Sequence, residues 1–316
     1  MAEIGTDINK AINLLKAGQL VAIPTETVYG LAGNALNLDA VAAIFTVKNR
    51  PRFDPLIVHV QDLNQVADYT LDIPYKARRL AESYWPGPLT LLLPKNDRIH
   101  DLVTAGMPSV GMRCPAHPLT HRLLDALPFP LAAPSANPFG YISPTHPDHV
   151  NQQLGDRISY ILDGGACPVG IESTIVGFSD HETVVHRLGG LSLEDIESII
   201  GSVTVKPYSA SDPAFPGQFR SHYAPEKKVV LGDLRTLLAS YPADRAAVLS
   251  FSTDLNLPYQ FVLTSSGNME EAARNLFVAL HEFEKFPVDV ILAEPVPDHG
   301  LGRAINDRLR RAAALY

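Results

Sequence analysis

Positively charged side chains are concentrated at one point of the chain, Lys48-Asn-Arg50-Pro-Arg52. The cluster follows a predicted helix and precedes an extended run. Planar guanidinium groups bind phosphate and carboxylate through paired hydrogen bonds, so the cluster is a candidate anion site. The alternative is a solvated helix C-terminus, where the helix dipole favours Lys and Arg.

Hydroxyl groups form a second cluster in 24–31, PTETVYGL, where two threonines and a tyrosine follow a predicted strand. Further polar groups stand at other predicted strand ends: Arg113, 133–137 with 143–145, 172–176 and 187–189. Open α/β sheets bind ligands at the carboxyl ends of their strands. Each cluster has a simpler explanation as a turn, but together they predict one basic, hydroxyl-rich cleft for a small polyanion.

Several familiar catalytic motifs are absent from the sequence. There is no GxxxxGK[ST] phosphate loop, no GxGxxG after a strand, no HExxH and no GxSxG. The pairs Gly164-Gly165 and Gly189-Gly190 are typical of simple turns. The two cysteines form no CxxC motif, which argues against a structural zinc site and a disulfide framework.

Helical and extended patterns alternate along the chain, which indicates the α/β class. Asp39 is predicted to cap a helix, and Ser192 with Asp195 resembles a capping box. The predicted strands 173–177 and 182–187 follow one another without a helix between them. The sheet is therefore predicted to be mixed.

A proline-rich segment divides the chain. Residues 207–227 hold four prolines in 21 positions and show no period, as expected of a linker. The α/β alternation then resumes and predicts a smaller second domain. Its last helix is basic, and charge runs of this kind usually form a solvated helix face. That face would consist of Arg303, Arg308, Arg310 and Arg311.

Composition narrows the class of protein further. The chain of 316 residues is 46% hydrophobic and carries a net charge of −8, of which residues 1–205 contribute −7 with 14 basic and 21 acidic side chains. Such an acidic surface argues against tight nonspecific nucleic-acid binding. No run of 18 apolar residues and no apolar leader segment is present, so we expect a cytoplasmic protein.

The ordered set of motifs resembles the YrdC-like family. It consists of PTETVYGLAGNA, KNRPRFDPLIVHV, the SAN of PSANPFGYISPT, ESTIV and RLGG. HYAP in the linker and AINDRLRRAA near the end resemble the longer, two-domain form of that family. The resemblance implies a twisted mixed α/β sheet with an open basic cleft and a smaller Rossmann-like α/β domain. It places the catalytic domain at 1–206, an interdomain linker and lid at 207–227, and the second domain at 228–316.

The resemblance also implies an activity, that of a nucleotidyltransferase. L-threonine, bicarbonate and ATP would give threonylcarbamoyl-AMP and pyrophosphate, with Mg²⁺ carried by ATP and no metal site in the protein. The product would pass to the machinery that forms threonylcarbamoyladenosine at position 37 of tRNA. Neither a membrane partner nor tight direct tRNA binding is expected.

Site residues follow from the same resemblance, position by position. The catalytic cations would be Lys48, Arg50 and Arg187. The L-threonine site would comprise Thr27, His59, Arg113, Ala133 and Ser173. The ATP site would comprise Arg50, Asp54, Ser109, Ser135, Asn137, Ser143, Arg187 and Tyr223. Asp54 departs from the uncharged polar residue frequent at its position.

Two other functions remain open at the level of sequence. One is a non-catalytic RNA-binding module, which the acidic charge disfavours. The other is a carbamoyltransferase that handles carbamoyl-adenylate, as in the related domain of hydrogenase-maturation proteins. Those larger proteins carry acylphosphatase and zinc-finger segments, which this sequence does not show.

Overall fold

The computed structural model describes residues 1–179, 182–206, 223–242 and 244–315. Its strands are β1 (Glu3–Gly5), β2 (Val21–Ile23), β3 (Gly30–Asn34), β4 (Ile57–His59), β5 (Leu89–Pro94), β6 (Ser109–Arg113), β7 (Leu131–Ala132), β8 (Tyr160–Leu162), β9 (Thr174–Phe178), β10 (Thr183–Arg187), β11 (Thr204–Val205), β12 (Lys228–Leu231), β13 (Ala246–Ser250), β14 (Gln260–Val262) and β15 (Val290–Ala293). Its helices are α1 (Ile8–Lys16), α2 (Leu38–Lys48), α3 (Leu63–Val66), α4 (Tyr75–Tyr84), α5 (Asp101–Thr104), α6 (Pro118–Ala126), α7 (Pro147–Leu154), α8 (Leu193–Ile200), α9 (Leu234–Leu238), α10 (Met269–Glu284) and α11 (Gly302–Ala312).

Eleven strands of the described residues form one sheet, in the order β1-β8-β2-β3-β7-β4-β6-β5-β9-β10-β11. Strands β4 and β6 pair in parallel, whereas β5 and β6 pair antiparallel. The predicted α/β class with a large mixed sheet is therefore confirmed.

The two faces of this sheet are covered differently along its width. Near β2, helices pack on both faces, because Val21 joins a core with α1 and α6 while Ala22 joins a core with α2. Farther along, Ile57, Leu92 and Ile175 form a small apolar cluster of their own. The functional pocket opens beside this cluster.

The structure corrects one predicted helix cap and confirms another. The cap of α2 is Asn37 and not Asp39: the Asn37 side chain accepts hydrogen bonds from the backbone N–H groups of Asp39 and Ala40. Asp39 lies in the first turn, where its charge suits the helix dipole. Strand β3 was not among the predicted strands, and its sequence, GLAGN, lacks the β-branched residues that favour strands. Ser192 caps α8, as predicted.

The second unit is a four-stranded parallel sheet, ordered β12-β15-β13-β14, with α9, α10 and α11. Its main core extends into the first unit, since Val28, Ile142 and Ile171 pack in the same cluster as the apolar face of α10. The smaller α/β domain expected from the sequence is thus present, and it packs closely on the first.

The basic helix α11 is not the solvated face that the sequence predicted. Arg308 and Arg311 are only 1% and 2% exposed. Arg308 forms an ion pair with Glu172 of the first unit, and both arginines contact Asp307. Partner carboxylates that are remote in sequence, or within the helix itself, allow these charges to be buried.

Most of the predicted lid, 207–222, lies outside the described residues. Of the whole predicted lid, 207–227, the structure describes residues 223–227. The domain boundaries at 206 and 228 remain predictions. Among the helices that the structure describes, none is long and apolar enough to cross a membrane.

Candidate active site

A concave pocket opens beside Ile57 on the large sheet. Nine of the predicted site residues line it: Thr27, Arg50, His59, Arg113, Ala133, Ser135, Ser173, Arg187 and Tyr223. The other five lie outside its lining: Lys48, Asp54, Ser109, Asn137 and Ser143. Folding therefore collects most of the polar clusters of the sequence into one cavity.

Strand ends of both directions meet at this pocket. His59, Arg113 and Arg187 are the last residues of β4, β6 and β10. Ser173 instead precedes β9, and Thr90 lies near the start of β5. Because β5 and β9 run antiparallel to β6, their amino ends reach the edge where the other strands finish. The rule that ligands bind at carboxyl ends thus accounts for part of the site only.

Arg113 is the centre of one half of the pocket. One of its terminal nitrogens donates to the Thr27 hydroxyl at 2.8 Å and lies 2.8 Å from a carboxylate oxygen of Glu26. The Thr27 hydroxyl also bonds to that of Thr25 at 2.8 Å. The Nε of Arg113 has no hydrogen-bond partner within the described residues. The guanidinium is therefore fixed in place and retains a donor suited to a carboxylate.

His59 is the neutral member of this half. Burial, together with the nearby Arg113 charge, lowers the pKa of His59 to about 3. Neither ring nitrogen makes a hydrogen bond of normal geometry with the described residues. At neutral pH the ring is uncharged and can accept a hydrogen bond from a bound cation.

Arg187 is the centre of the other half. Its Nε donates to the Ser173 carbonyl and a terminal nitrogen donates to the Ser173 hydroxyl, both at 3.0 Å. The same hydroxyl bonds to Thr90 at 2.8 Å. A register shift between Val185 and Arg187 places a β-bulge here, and bulges re-aim side chains next to sites. Burial lowers the pKa of Arg187 to about 10, so it keeps its charge at neutral pH.

Arg50 enters the pocket from the chain after α2. A terminal nitrogen lies 2.8 Å from the Asp54 carboxylate and donates to the Pro55 carbonyl at 2.8 Å, while Nε donates to the Asp54 carbonyl at 3.0 Å. Asp54 is fully buried, and burial raises its pKa in spite of the neighbouring cations. In this structure Asp54 holds Arg50 and is not itself part of the pocket wall.

Lys48 supports the loop that carries Ser135. Its Nζ donates to the carbonyl oxygens of Ser135, at 2.6 Å, and Asn137. The Asn137 side chain in turn donates to the carbonyls of Pro138 and Tyr141, both at 2.9 Å. Burial and the Arg50 charge lower the pKa of Lys48. Both residues thus shape the pocket wall from behind.

Ser143 and Ser109 occupy two other places. The Ser143 hydroxyl donates to a carboxylate oxygen of Glu172, which lines the pocket. Ser109 lines a neighbouring groove with Leu92 and His186. Positions 109 and 113 share one face of β6, roughly 13 Å apart along the strand, so the groove lies on the same side of the sheet as the pocket.

Tyr223 closes one side of the pocket. It is buried with a positive φ of 64°, and the guanidinium groups of Arg308 and Arg311 lie 5.3 Å and 5.0 Å from the centre of its ring. Such cation–π contacts fix the ring. Tyr223 thus lines the pocket, and its contact with ATP stays a prediction. The lid hypothesis depends on residues that the structure does not describe.

Sequence reasoning missed several residues of this site. Glu26 and Glu172 stand inside the PTETVYG and ESTIV motifs, directly beside residues that were selected. Because a buried arginine needs a counter-charge, an acidic residue in the same motif was an available signal. Arg308 gave no such signal, since its partner is 136 positions away.

The pocket offers positive charge and hydroxyl groups more than a nucleophile. Cys114 and Cys167 lie outside its lining, and burial raises the pKa of both thiols. Fixed guanidinium and hydroxyl groups in a buried site stabilise charge and orient ligands. The arrangement suits a reaction between anionic ligands.

Two family models match this chain. Residues 13–189 match the Sua5/YciO/YrdC family model, described as "Telomere recombination", and residues 191–314 match that of the "Threonylcarbamoyl-AMP synthase, C-terminal domain". The chain is similar to the threonylcarbamoyl-AMP synthases of Pyrococcus abyssi, at 39% identity over 97% of this chain and 94% of the relative, and of Bacillus subtilis, at 41% over 97% and 92%.

A solved structure of a similar protein also matches the fold of this chain. The crystal structure of P. abyssi Sua5 complexed with L-threonine matches with a TM-score of 0.91 at 39% identity, covering 97% of this chain and 94% of that one. The E. coli YciO structure, at 22% identity, covers 60% of this chain and 96% of its own with a TM-score of 0.54, and shares the fold. The chain belongs to the Sua5/YciO/YrdC family, the YrdC-like family that its motifs resemble, in the form that carries the threonylcarbamoyl-AMP synthase C-terminal domain.

Proposed function

We propose that this protein is a threonylcarbamoyl-AMP synthase, which condenses L-threonine, bicarbonate and ATP to threonylcarbamoyl-AMP and pyrophosphate. The observation that carries the proposal is the pairing of Arg113 with Thr27 beside the neutral His59. A fixed guanidinium, a hydroxyl and an uncharged imidazole form a complementary set for the carboxylate and ammonium groups of an amino acid. The similar P. abyssi protein has been crystallised with L-threonine.

The other half of the pocket would hold the nucleotide. Arg50 and Arg187 present two guanidinium groups there, and Ser135 and Tyr223 line the same wall. The three carboxylates at or behind the pocket wall are already engaged: Glu26 with Arg113, Asp54 with Arg50 and Glu172 with Arg308. The protein's own donors therefore fit a Mg²⁺ ion held mainly by phosphate oxygens, and such an ion would neutralise part of the triphosphate charge.

The reaction needs placement more than a covalent enzyme intermediate. Bicarbonate and the threonine amino group give an N-carboxylate: the C–N bond forms, a C–O bond of bicarbonate breaks and water leaves. One oxygen of the N-carboxylate then attacks the α-phosphorus. The bond from that phosphorus to the bridging oxygen breaks, and pyrophosphate leaves. Arg113 would hold the threonine carboxylate, while Arg50 and Arg187 would stabilise the charge on the phosphates. Burial of the reactants would protect the carbamate from water.

Downstream steps belong to the same proposal. The product would be consumed in the cytoplasm by the machinery that transfers threonylcarbamoyl to tRNA. The acidic charge of residues 1–205 speaks against tight binding of tRNA by this chain itself.

The direct test is incubation of the protein with ATP, Mg²⁺, L-threonine and labelled bicarbonate. We expect pyrophosphate and a labelled adenylate in equal amounts, both dependent on threonine. Carbamoyl-adenylate formed from carbamoyl phosphate without threonine would indicate a carbamoyltransferase instead. RNA binding without ATP turnover would indicate a binding module.

Amino-acid selectivity provides a second test. One methyl group in an apolar subsite is worth ~1–3 kcal/mol, so serine should react with a kcat/KM about 10- to 200-fold below that of threonine. Equal values for the two amino acids would contradict a pocket that reads the methyl group.

A further inference from the structure

Glu172 places a negative charge in the wall of a pocket that is meant for anions. The residue is 6% exposed and lines the pocket together with Arg187. A buried carboxylate that lacked a cationic partner would repel a phosphate or would draw the charge of the nearest arginine away from it. The identity of its partner therefore affects what the pocket can bind.

The strongest partner of Glu172 comes from the second unit. Arg308, in α11, donates to one Glu172 oxygen from Nε at 3.2 Å and from a terminal nitrogen at 3.0 Å. Another Arg308 nitrogen donates to the carbonyl of Leu188, next to Arg187. The other Glu172 oxygen accepts from Ser143. Both carboxylate oxygens are thus occupied, and the guanidinium is anchored across the junction of the two units.

The charges of the pocket can be compared pair by pair. Arg113 lies against Glu26 and Arg50 against Asp54, all within the first unit. Of these three carboxylates, within the described residues, Glu172 alone forms its ion pair with a residue of the second unit. Burial raises the pKa of Glu172, but the charges of Arg308 and Arg187 and the Ser143 hydrogen bond outweigh it and hold the pKa below its usual value.

We propose that Arg308 is a positioning residue of the active site, which neutralises Glu172 and so removes the repulsion between that carboxylate and a bound phosphate. This inference rests on the proposed function in taking the pocket to be a nucleotide site. It gives the second unit a part in setting the charge of the pocket. Arg308 would act through Glu172 and would not itself touch the substrates.

The test is the affinity of the full-length protein for Mg²⁺–ATP and for pyrophosphate, measured by calorimetry. Arg308→Met should weaken both affinities by ~10-fold or more, the effect of one uncompensated charge near an anion. In kinetics, the KM for ATP should rise more than kcat falls. Arg308→Lys should keep part of the affinity, since it restores the charge without the paired geometry.

The decisive variant is the double change Glu172→Gln with Arg308→Met. If Arg308 acts by neutralising Glu172, this variant should bind both ligands within about threefold of Glu172→Gln alone. Weak binding that the second change does not restore would overturn the proposal, and would point to the contact of Arg308 with the Tyr223 ring. Affinity of Arg308→Met equal to that of the unchanged protein would also overturn it.

Arg303→Gln is the matched control. Arg303 lies in the same helix and also reaches the first unit, through an ion pair with Glu194 at 2.6 Å, but it is partly exposed and does not line the pocket. It should leave the affinities unchanged, and a loss equal to that of Arg308→Met would refute a role specific to Arg308.

Two further outcomes keep the test decisive. If Arg308→Met does not fold, the double variant should still fold and bind as Glu172→Gln does, and its failure would overturn the proposal. Unchanged protein that binds ATP and pyrophosphate but forms no adenylate would refute the proposed function and leave the Arg308 comparison valid. Unchanged protein that binds neither ligand would refute both.

Discussion

Gly170 lies in the first unit and packs closely against the backbone of α10. A Cβ atom added there would lie 2.3 Å from the Cα of Arg274 and 2.7 Å from its carbonyl oxygen. The residue also has a φ of +79°. Gly165 has nearly the same conformation, with a φ of +75°, but nothing lies within 4 Å of the added atom. A comparison of Gly165→Ala with Gly170→Ala therefore distinguishes the cost of backbone strain from the cost of a clash between the units.

The magnitudes follow from these two terms. Placing Ala in the left-handed region costs about 1–2 kcal/mol, and this is the whole cost expected for Gly165→Ala. Gly170→Ala should lose the same amount plus about 1–3 kcal/mol for overpacking, because the nearby atoms belong to helix backbone and cannot rotate away. The free energy of unfolding should therefore fall by about 2–5 kcal/mol in Gly170→Ala.

The affinity for ATP should also differ between Gly170→Ala and Gly165→Ala. Helix α10 carries His281, which stacks on His149 at 3.8 Å and whose Nε2 lies 3.2 Å from the Ser143 carbonyl. Displacing α10 would disturb the loop of Ser143 and, through it, Glu172. We therefore expect weaker ATP binding in Gly170→Ala than in Gly165→Ala. Urea denaturation and calorimetry measure both effects, and equal losses in the two variants would refute the reasoning.

Three other changes test the structure further. Lys48→Met should lower the free energy of unfolding by ~1–3 kcal/mol, because two buried carbonyls lose their donor. It should also raise the KM for ATP. An unchanged free energy of unfolding, measured by denaturation, would contradict the supporting role of Lys48. Arg113→Lys should raise the KM for threonine by ~10-fold while the KM for ATP changes little, since one guanidinium donor set is lost; steady-state kinetics with equal effects on both substrates would argue against the threonine subsite. Buried histidines should make the protein acid-sensitive: the pKa of His59 and His149 is lowered to about 3 and that of His281 to about 4, mainly by burial. Below about pH 6.5 the unfolded state binds more protons than the folded state, so stability falls as the pH is lowered, by about 2 kcal/mol at pH 5 for His59 alone. Denaturation at pH 7, 6 and 5 would show this slope, and His59→Gln should make it less steep.

Much of the site could be predicted from sequence because its parts are local motifs. PTETVYG, KNRPR, ESTIV and RLGG each place a polar group beside a strand or helix end, and the pattern of neighbouring residues sets where those elements end. Nine of the predicted residues line the pocket. The α/β class and the mixed sheet follow from the same local patterns.

Other features depend on contacts between residues that are far apart in the sequence, and local patterns do not indicate such contacts. The side chains of Lys48 and Asn137 were predicted to face ligand, but they hold a loop, because which carbonyl lies within reach is decided by packing. Strand β3 formed from a glycine-rich run because Gly33 lets Leu20 and Ile44 pack against it. Ser109 lines the neighbouring groove because it stands at the opposite end of β6 from Arg113, which lines the pocket.

The last helix shows the difference most clearly. Composition and charge pattern determined that α11 is a basic helix, and spacing predicted a solvated face. Only the tertiary structure decided that Arg308 is buried against Glu172, since burial of a charge depends on whether a partner carboxylate arrives from elsewhere in the chain. Local sequence determines the helix and its charges, whereas the free energy of burying Arg308 depends on Glu172, 136 positions away.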